Sequence, residues 1–125
     1  MQCRGRFFDR NEIGELVEVD HLSEAGKFVA LEGADCRIIL FGPPITPAVF
    51  YYHLDLVLAS REPLLDILGG GHYERKTGGW KVYGKSEKYG ACDASVLRQV
   101  RSLLKQPEKS EIPSVASSPD DGNDL

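Results

Sequence analysis

Residues 93–105, DASVLRQVRSLLK, decide the fold class. Val96, Leu97, Val100, Leu103 and Leu104 recur at helical spacing and form one apolar stripe, while Arg98, Arg101 and Lys105 fall on the other side. Asp93 supplies the side-chain oxygen an N-cap needs, Lys105 sits well near the negative end of the helix dipole, and Pro107 follows the stop. This helix closes a chain that otherwise reads mainly as short strands. Toward the N-terminus, Trp80 and Val82 alternate with Lys81 and Tyr83, a strand period. Leu64 to Leu68 reads as a strand that ends in a turn at Gly69-Gly70-Gly71.

Residues 48–61, AVFYYHLDLVLASR, change period midway. Val49-Phe50-Tyr51-Tyr52 is strand-like, whereas Leu54 to Arg61 has helical spacing at Leu54, Val57 and Leu58, and Pro63 ends it. Arg37 to Phe41 (RIILF) is a β-branched run of the buried-strand type, broken by Gly42-Pro43-Pro44. Lys27 to Leu31 (KFVAL) and Leu16 to Asp20 (LVEVD) are further short strands. The order β-β-β-α-β-β-α predicts an α+β fold: a single domain with a mixed, mostly antiparallel β-sheet and two packed helices. Residues 1–12 read as a loose lead-in, 13–107 as the domain and 108–125 as a disordered acidic tail with too few apolar residues to offset its ordering entropy.

A chain of 125 residues is one domain's worth, and no apolar run approaches the roughly 20 residues that span a bilayer. The formal charge of −4 is unevenly placed. Glu108, Glu111, Asp120, Asp121 and Asp124 face Lys109 alone, so the remainder is neutral, with a basic stretch over 72–105. A basic patch on a neutral body suits a local anionic ligand better than a nucleic-acid surface, which goes with a basic domain overall. Cys3, Cys36 and Cys92 are odd in number and far apart, so neither a disulfide framework nor a zinc knuckle is readable. Arg4, Arg6 and Arg10 precede no secretory apolar core, and Glu12, Glu15 and Glu18 argue against a mitochondrial presequence. The expected compartment is the cytoplasm.

Few residues can carry chemistry. His21, His53 and His72 have no histidine partner at i,i+4, and neither a Walker loop nor a G-x-S-x-G elbow is present. His53 stands where a strand-like run meets a helix, beside amides that can bind phosphate or beside a single backbone bond that merely satisfies it. Gly69-Gly70-Gly71 is either a strand-end turn or a place where backbone approaches a ligand or another element. Gly84 to Gly90 holds Ser86, Lys85, Lys88 and several N–H groups between glycines, a composition that suits an anion nest or a solvated loop. Lys27 opens a strand and by itself is a surface lysine.

Taken together, Tyr52-His53-Leu54-Asp55-Leu56, Leu68-Gly69-Gly70-Gly71, Val82-Tyr83-Gly84-Lys85-Ser86 and Tyr89-Gly90 resemble the protein-histidine phosphatases of the Janus type. Those proteins carry Tyr-His-x-Asp-Ile, Leu-Gly-Gly-Gly and Val-Tyr-Gly-x-Ser segments in this order. Gly26-Lys27-Phe28-Val29 also resembles the family's first core strand, and the resemblance covers roughly 26–105. It implies a metal-independent hydrolase, without cofactor, acting on phosphohistidine and to some extent phospholysine in proteins. It implies His53 as the catalytic residue and Lys27, Ser86, Glu87 and Lys88 as the phosphate-binding set. Supporting roles fall to the Leu54 N–H, His72, Tyr83 and Gly84. The partners implied are phosphohistidine-containing proteins and inorganic phosphate, with no nucleic acid and no membrane, and the chain is expected to be a monomer. The family's arginine on the strand before the histidine is matched here by Phe41 or Ile45, and its arginine after the triple glycine by His72.

The chemistry is coherent on its own terms. An imidazole leaves phosphorus readily once protonated, so positioning, charge stabilisation and one proton-transfer group suffice. His53 as general base on an in-line water is the expected mechanism, and direct attack by His53 is the other. Two further classes remain: a phosphate- or phosphoprotein-binding module of the same fold without turnover, and a nucleic-acid module using Trp80, Tyr83 and Tyr89 on the basic region.

Overall fold

The apolar run at 37–41 and its neighbour at 27–31 are the middle of a six-stranded sheet, and they are buried on both faces. The computed structural model describes residues 3–47 and 50–105. The acidic tail expected over 108–125 and the strand-like Val49 lie outside the described residues. The strands are β1 (Cys3–Arg10), β2 (Leu16–Val19), β3 (Ala25–Gly33), β4 (Arg37–Gly42), β5 (Leu64–Lys76) and β6 (Gly79–Tyr83). They lie in the order β2-β1-β4-β3-β5-β6. Only β1 and β4 pair in parallel; every other neighbouring pair is antiparallel. With helices α1 (His53–Ser60) and α2 (Ala94–Leu104), the domain is α+β with a mixed, mostly antiparallel sheet.

Alternation along β3 and β4 sends side chains to two cores. Phe28, Ala30, Ile39 and Phe41 pack against Val96, Val100 and Leu104 of α2, with Tyr73 from β5. Val29, Leu31, Ile38 and Leu40 pack on the other face with Leu56 of α1 and Tyr51. Each helix therefore covers one face. The expected N-cap Asp93 accepts a hydrogen bond from the Val96 N–H at 3.0 Å. Helix α1 starts one residue earlier than its spacing predicts, at His53, because Asp55 accepts the Tyr52 N–H at 2.7 Å while donating its own N–H to the Tyr52 carbonyl at 2.9 Å. It ends at Arg61, which takes the left-handed conformation (φ 56°).

Two expectations are corrected. The expected loose lead-in is not loose over its described residues, since Cys3–Arg10 form a strand between β2 and β4. Its arginines suggest solvent, but Arg6 is tied on both sides, to Glu18 at 2.6 Å and to Glu62 at 2.6 Å. The triple glycine is not a strand-end turn either, because β5 runs through it as far as Lys76. A register shift against β3 falls between Ala30 and Leu31, beside Gly69, whose φ of +133° few other residues adopt. The alternative expectation, close approach of another element, holds. A Cβ on Gly70 would lie 2.8 Å from His53 Cδ2 and 2.8 Å from the Phe28 carbonyl oxygen.

Candidate active site

Lys27 of β3 stands opposite His72 of β5, and His72 stands opposite Tyr83 of β6. Directly paired residues share a face of the sheet, so the three side chains form a row across it. His53, at the start of α1, is laid onto the bare backbone of Gly70 and Gly71 beside this row. Its Nε2 donates to the Gly71 carbonyl at 2.9 Å, and since a carbonyl only accepts, the proton sits on Nε2 and the free lone pair on Nδ1. The His53 and His72 rings meet edge to face at 5.5 Å, and His72 stacks on Tyr83 at 5.5 Å with 22° between planes.

The loop 84–90 closes the third side. Gly84 and Gly90 have φ of +75° and +79°, which lets the chain turn back on itself between them. Ser86 is buried, and its Oγ accepts the N–H groups of Lys88 at 3.2 Å and Tyr89 at 3.1 Å. The Gly90 carbonyl accepts from the Ser86 N–H and, at 3.0 Å, from the Gly70 N–H, which fastens the loop to the triple glycine. Two of the three amides expected to hold phosphate, those of Ser86 and Lys88, are thus used inside the loop. The Glu87 N–H has no such partner among the described residues.

A pocket of about 580 Å³ brings most of the expected set together: Lys27, His53, Leu54, His72, Ser86, Glu87 and Lys88 all line it. Tyr83 and Gly84 stand behind His72 and do not. Lys85, counted in the candidate nest but not in the phosphate-binding set, lines the pocket too, and sequence reasoning missed four lining residues, Ile45, Phe50, Tyr52 and Asp55. Asp55 lay inside a segment already singled out, and its signal was proximity to His53. Phe50 and Tyr52 read as strand residues, and their exposure could not be seen from spacing.

Lys27 is 6% exposed, and its ammonium donates to the Tyr51 carbonyl at 2.5 Å. The rings of Tyr51, Phe50 and Tyr52 surround it at 5.0, 5.3 and 5.9 Å. Burial pulls its pKa below the usual lysine range, and the charges of Asp55 and Glu87 work against that fall. His53 is likewise 6% exposed and lowered, first by burial and then by the charges of Lys27 and His72, with the Gly71 bond opposing. Burial and Lys27 lower His72 as well. For both imidazoles the shift favours the neutral form at pH 7. Tyr51 anchors the segment by donating its hydroxyl to the Pro43 carbonyl.

His21 stands apart, exposed beside Asp20 and Asp9. Among the described residues, no group of three or more His, Cys, Asp or Glu side chains could hold a metal ion, and no helix is long and apolar enough to cross a membrane. No protein-family model, curated protein or solved structure matches this chain.

Proposed function

We propose that this chain is a metal-independent protein phosphatase that hydrolyses the P–N bond of phosphohistidine on proteins, with phospholysine as a secondary substrate. One observation carries the reading: His53, its Nε2–H held by the Gly71 carbonyl, borders the same pocket as Lys27, His72 and Lys88. With Nε2 occupied, Nδ1 is the nitrogen able to take a proton from water. In this mechanism a water attacks phosphorus in line with the P–N bond and gives its proton to His53, a role typically worth about 10²–10⁴-fold. Lys27 and Lys88 balance charge on the phosphoryl oxygens, while the Leu54 and Glu87 N–H groups donate to them. Direct attack by Nδ1 would instead leave a phosphorylated His53, which acid-labile labelling of the protein would reveal. The partners are phosphohistidine-bearing proteins and the inorganic phosphate released, not nucleic acid or membrane. We assign a monomer working in the cytoplasm.

The test is phosphate release from a phosphohistidine-bearing protein in EDTA, comparing wild type with His53→Ala. Wild type should turn over in the chelator, and His53→Ala should lose at least 100-fold while keeping its melting temperature within a few degrees. Folded His53→Ala with full activity would end the assignment, and dependence on an added divalent ion would end metal independence. A second reading has its own support: among the described residues no arginine lines the pocket, and Glu87 adds negative charge to it. That favours a phosphate- or phosphoprotein-binding module, which would show saturable phosphate binding and no release.

A further inference from the structure

The pocket carries both signs of charge and an aromatic wall, more than a bare phosphate uses. Lys27, Lys85 and Lys88 are cationic, and Asp55 and Glu87 are anionic. Phe50 is 60% exposed and Tyr52 62%, with ring centroids 4.7 Å apart and planes at 79°. We propose that Phe50 and Tyr52, with the carboxylates of Asp55 and Glu87, form a leaving-group subsite that receives the protonated imidazole of phosphohistidine and ranks it above phospholysine. The inference rests on the P–N hydrolysis proposed above.

The chemistry selects this occupant. When the phosphorylated imidazole is protonated on its other nitrogen, the P–N bond breaks with its electron pair going to the ring. The ring then departs as neutral imidazole. The water oxygen bonds to phosphorus and the water proton passes to His53, so the products are hydrogen phosphate, imidazole and protonated His53. The ground state thus carries an anionic phosphoryl group joined to a cationic aromatic ring. Lysines suit the first half; aromatic faces and carboxylates suit the second. Asp55 is already fixed, because its carboxylate accepts the Tyr52 N–H at 2.7 Å, and this also ties the Tyr52 backbone to the start of α1 beside His53. The two rings lie 5.3 and 5.9 Å from the Lys27 ammonium, so a phosphoryl group beside that ammonium has its nitrogen substituent within reach of the aromatic wall. The alkyl chain of phospholysine has no face to stack.

The experiment measures kcat/KM for wild type, Phe50→Ala, Tyr52→Ala and the double variant. Four substrates are compared: a phosphohistidine peptide, free phosphohistidine, a phospholysine peptide of the same sequence, and phosphoramidate, which has no ring. Leu58→Ala, exposed on α1 and outside the pocket, is the control. The double variant should lose about tenfold on both phosphohistidine substrates and less than about twofold on the other two. Retained phosphoramidate turnover also shows that the variant is folded. An equal loss on all four substrates would overturn the subsite and leave P–N hydrolysis standing. A loss on the phosphohistidine peptide but not on free phosphohistidine would assign the rings to flanking peptide and overturn it too. Wild-type protein that releases phosphate from none of the four would remove the proposed activity, and the subsite with it.

Discussion

At His53, burial and neighbouring charge act in one direction. Both hold its pKa below the ordinary 6.5, so the base form predominates at neutral pH. For the proposed hydrolysis, kcat/KM should fall on the acid side as His53 takes up its proton at a pH below 6.5, and fall again on the alkaline side as the substrate imidazole and Lys27 lose theirs. An acid-side inflection above 6.5, or a rate that stays level to high pH, would contradict this. Stability carries the same sign. Unfolded histidine takes up its proton first as pH falls below 6.5, while folded His53 and His72 resist. Their contribution is full above 6.5 and is lost as pH falls through the folded values. Melting temperatures between pH 7.5 and 5.5 should fall more for wild type than for a His53→Ala/His72→Ala double variant. Gly70 gives a second residue-scale test. A methyl group there meets the His53 ring and the Phe28 carbonyl oxygen, both at 2.8 Å. Gly70→Ala should cost roughly 1–3 kcal/mol in denaturant titrations and lower turnover further by displacing the imidazole. Unchanged stability and rate would mean that the close approach is not needed.

Among the elements, β1 depends most on partners distant in sequence. Arg6 forms a 2.6 Å ion pair with Glu62, which lies 56 positions away, and also donates to the Ser60 carbonyl at 2.9 Å. The pair is largely buried, with side chains 17% and 13% exposed. Arg6→Ala leaves Glu62 with only the more exposed Arg4 as partner and uncovers the C-terminal end of α1. The expected loss is about 1–3 kcal/mol, read from denaturant midpoints, with a smaller loss for Arg4→Ala. Equal effects from the two arginines would show that burial of the pair does not matter. The helices ask less of distant residues. Helix α2 is readable from its own stripe and its cap at Asp93, and the same stripe is what packs on the sheet.

Across the molecule, what can be read from the chain divides along the same line. The runs 27–31 and 37–41 declare themselves because their apolar content suits two buried faces and nothing else. The lead-in 1–12 hides a strand because its charges are neutralised only once the fold brings Glu18 and Glu62 to it. Lys27, His53, His72 and the 86–88 loop can be named from local pattern, yet their meeting depends on register: Lys27 against His72, and Gly70 and Gly71 under His53. The aromatic wall of the pocket escapes such reading because Phe50 and Tyr52 look like strand residues until one sees that they face solvent. The strand order carries a consequence for how the protein is made. On a ribosome β1, β2 and β3 emerge first, but the sheet order puts β4 between β1 and β3. The β1–β2 hairpin and β3 therefore have no shared backbone partner until residues 37–42 are available. Assembly waits on β4 as an arch waits on its keystone, and a nascent chain stopped short of it exposes unpaired strand edges. Leu40→Ala, at a fully buried β4 position, should slow refolding by more than it speeds unfolding in stopped-flow chevrons. The opposite partition would show that the sheet nucleates elsewhere and that β4 is the last strand to seat.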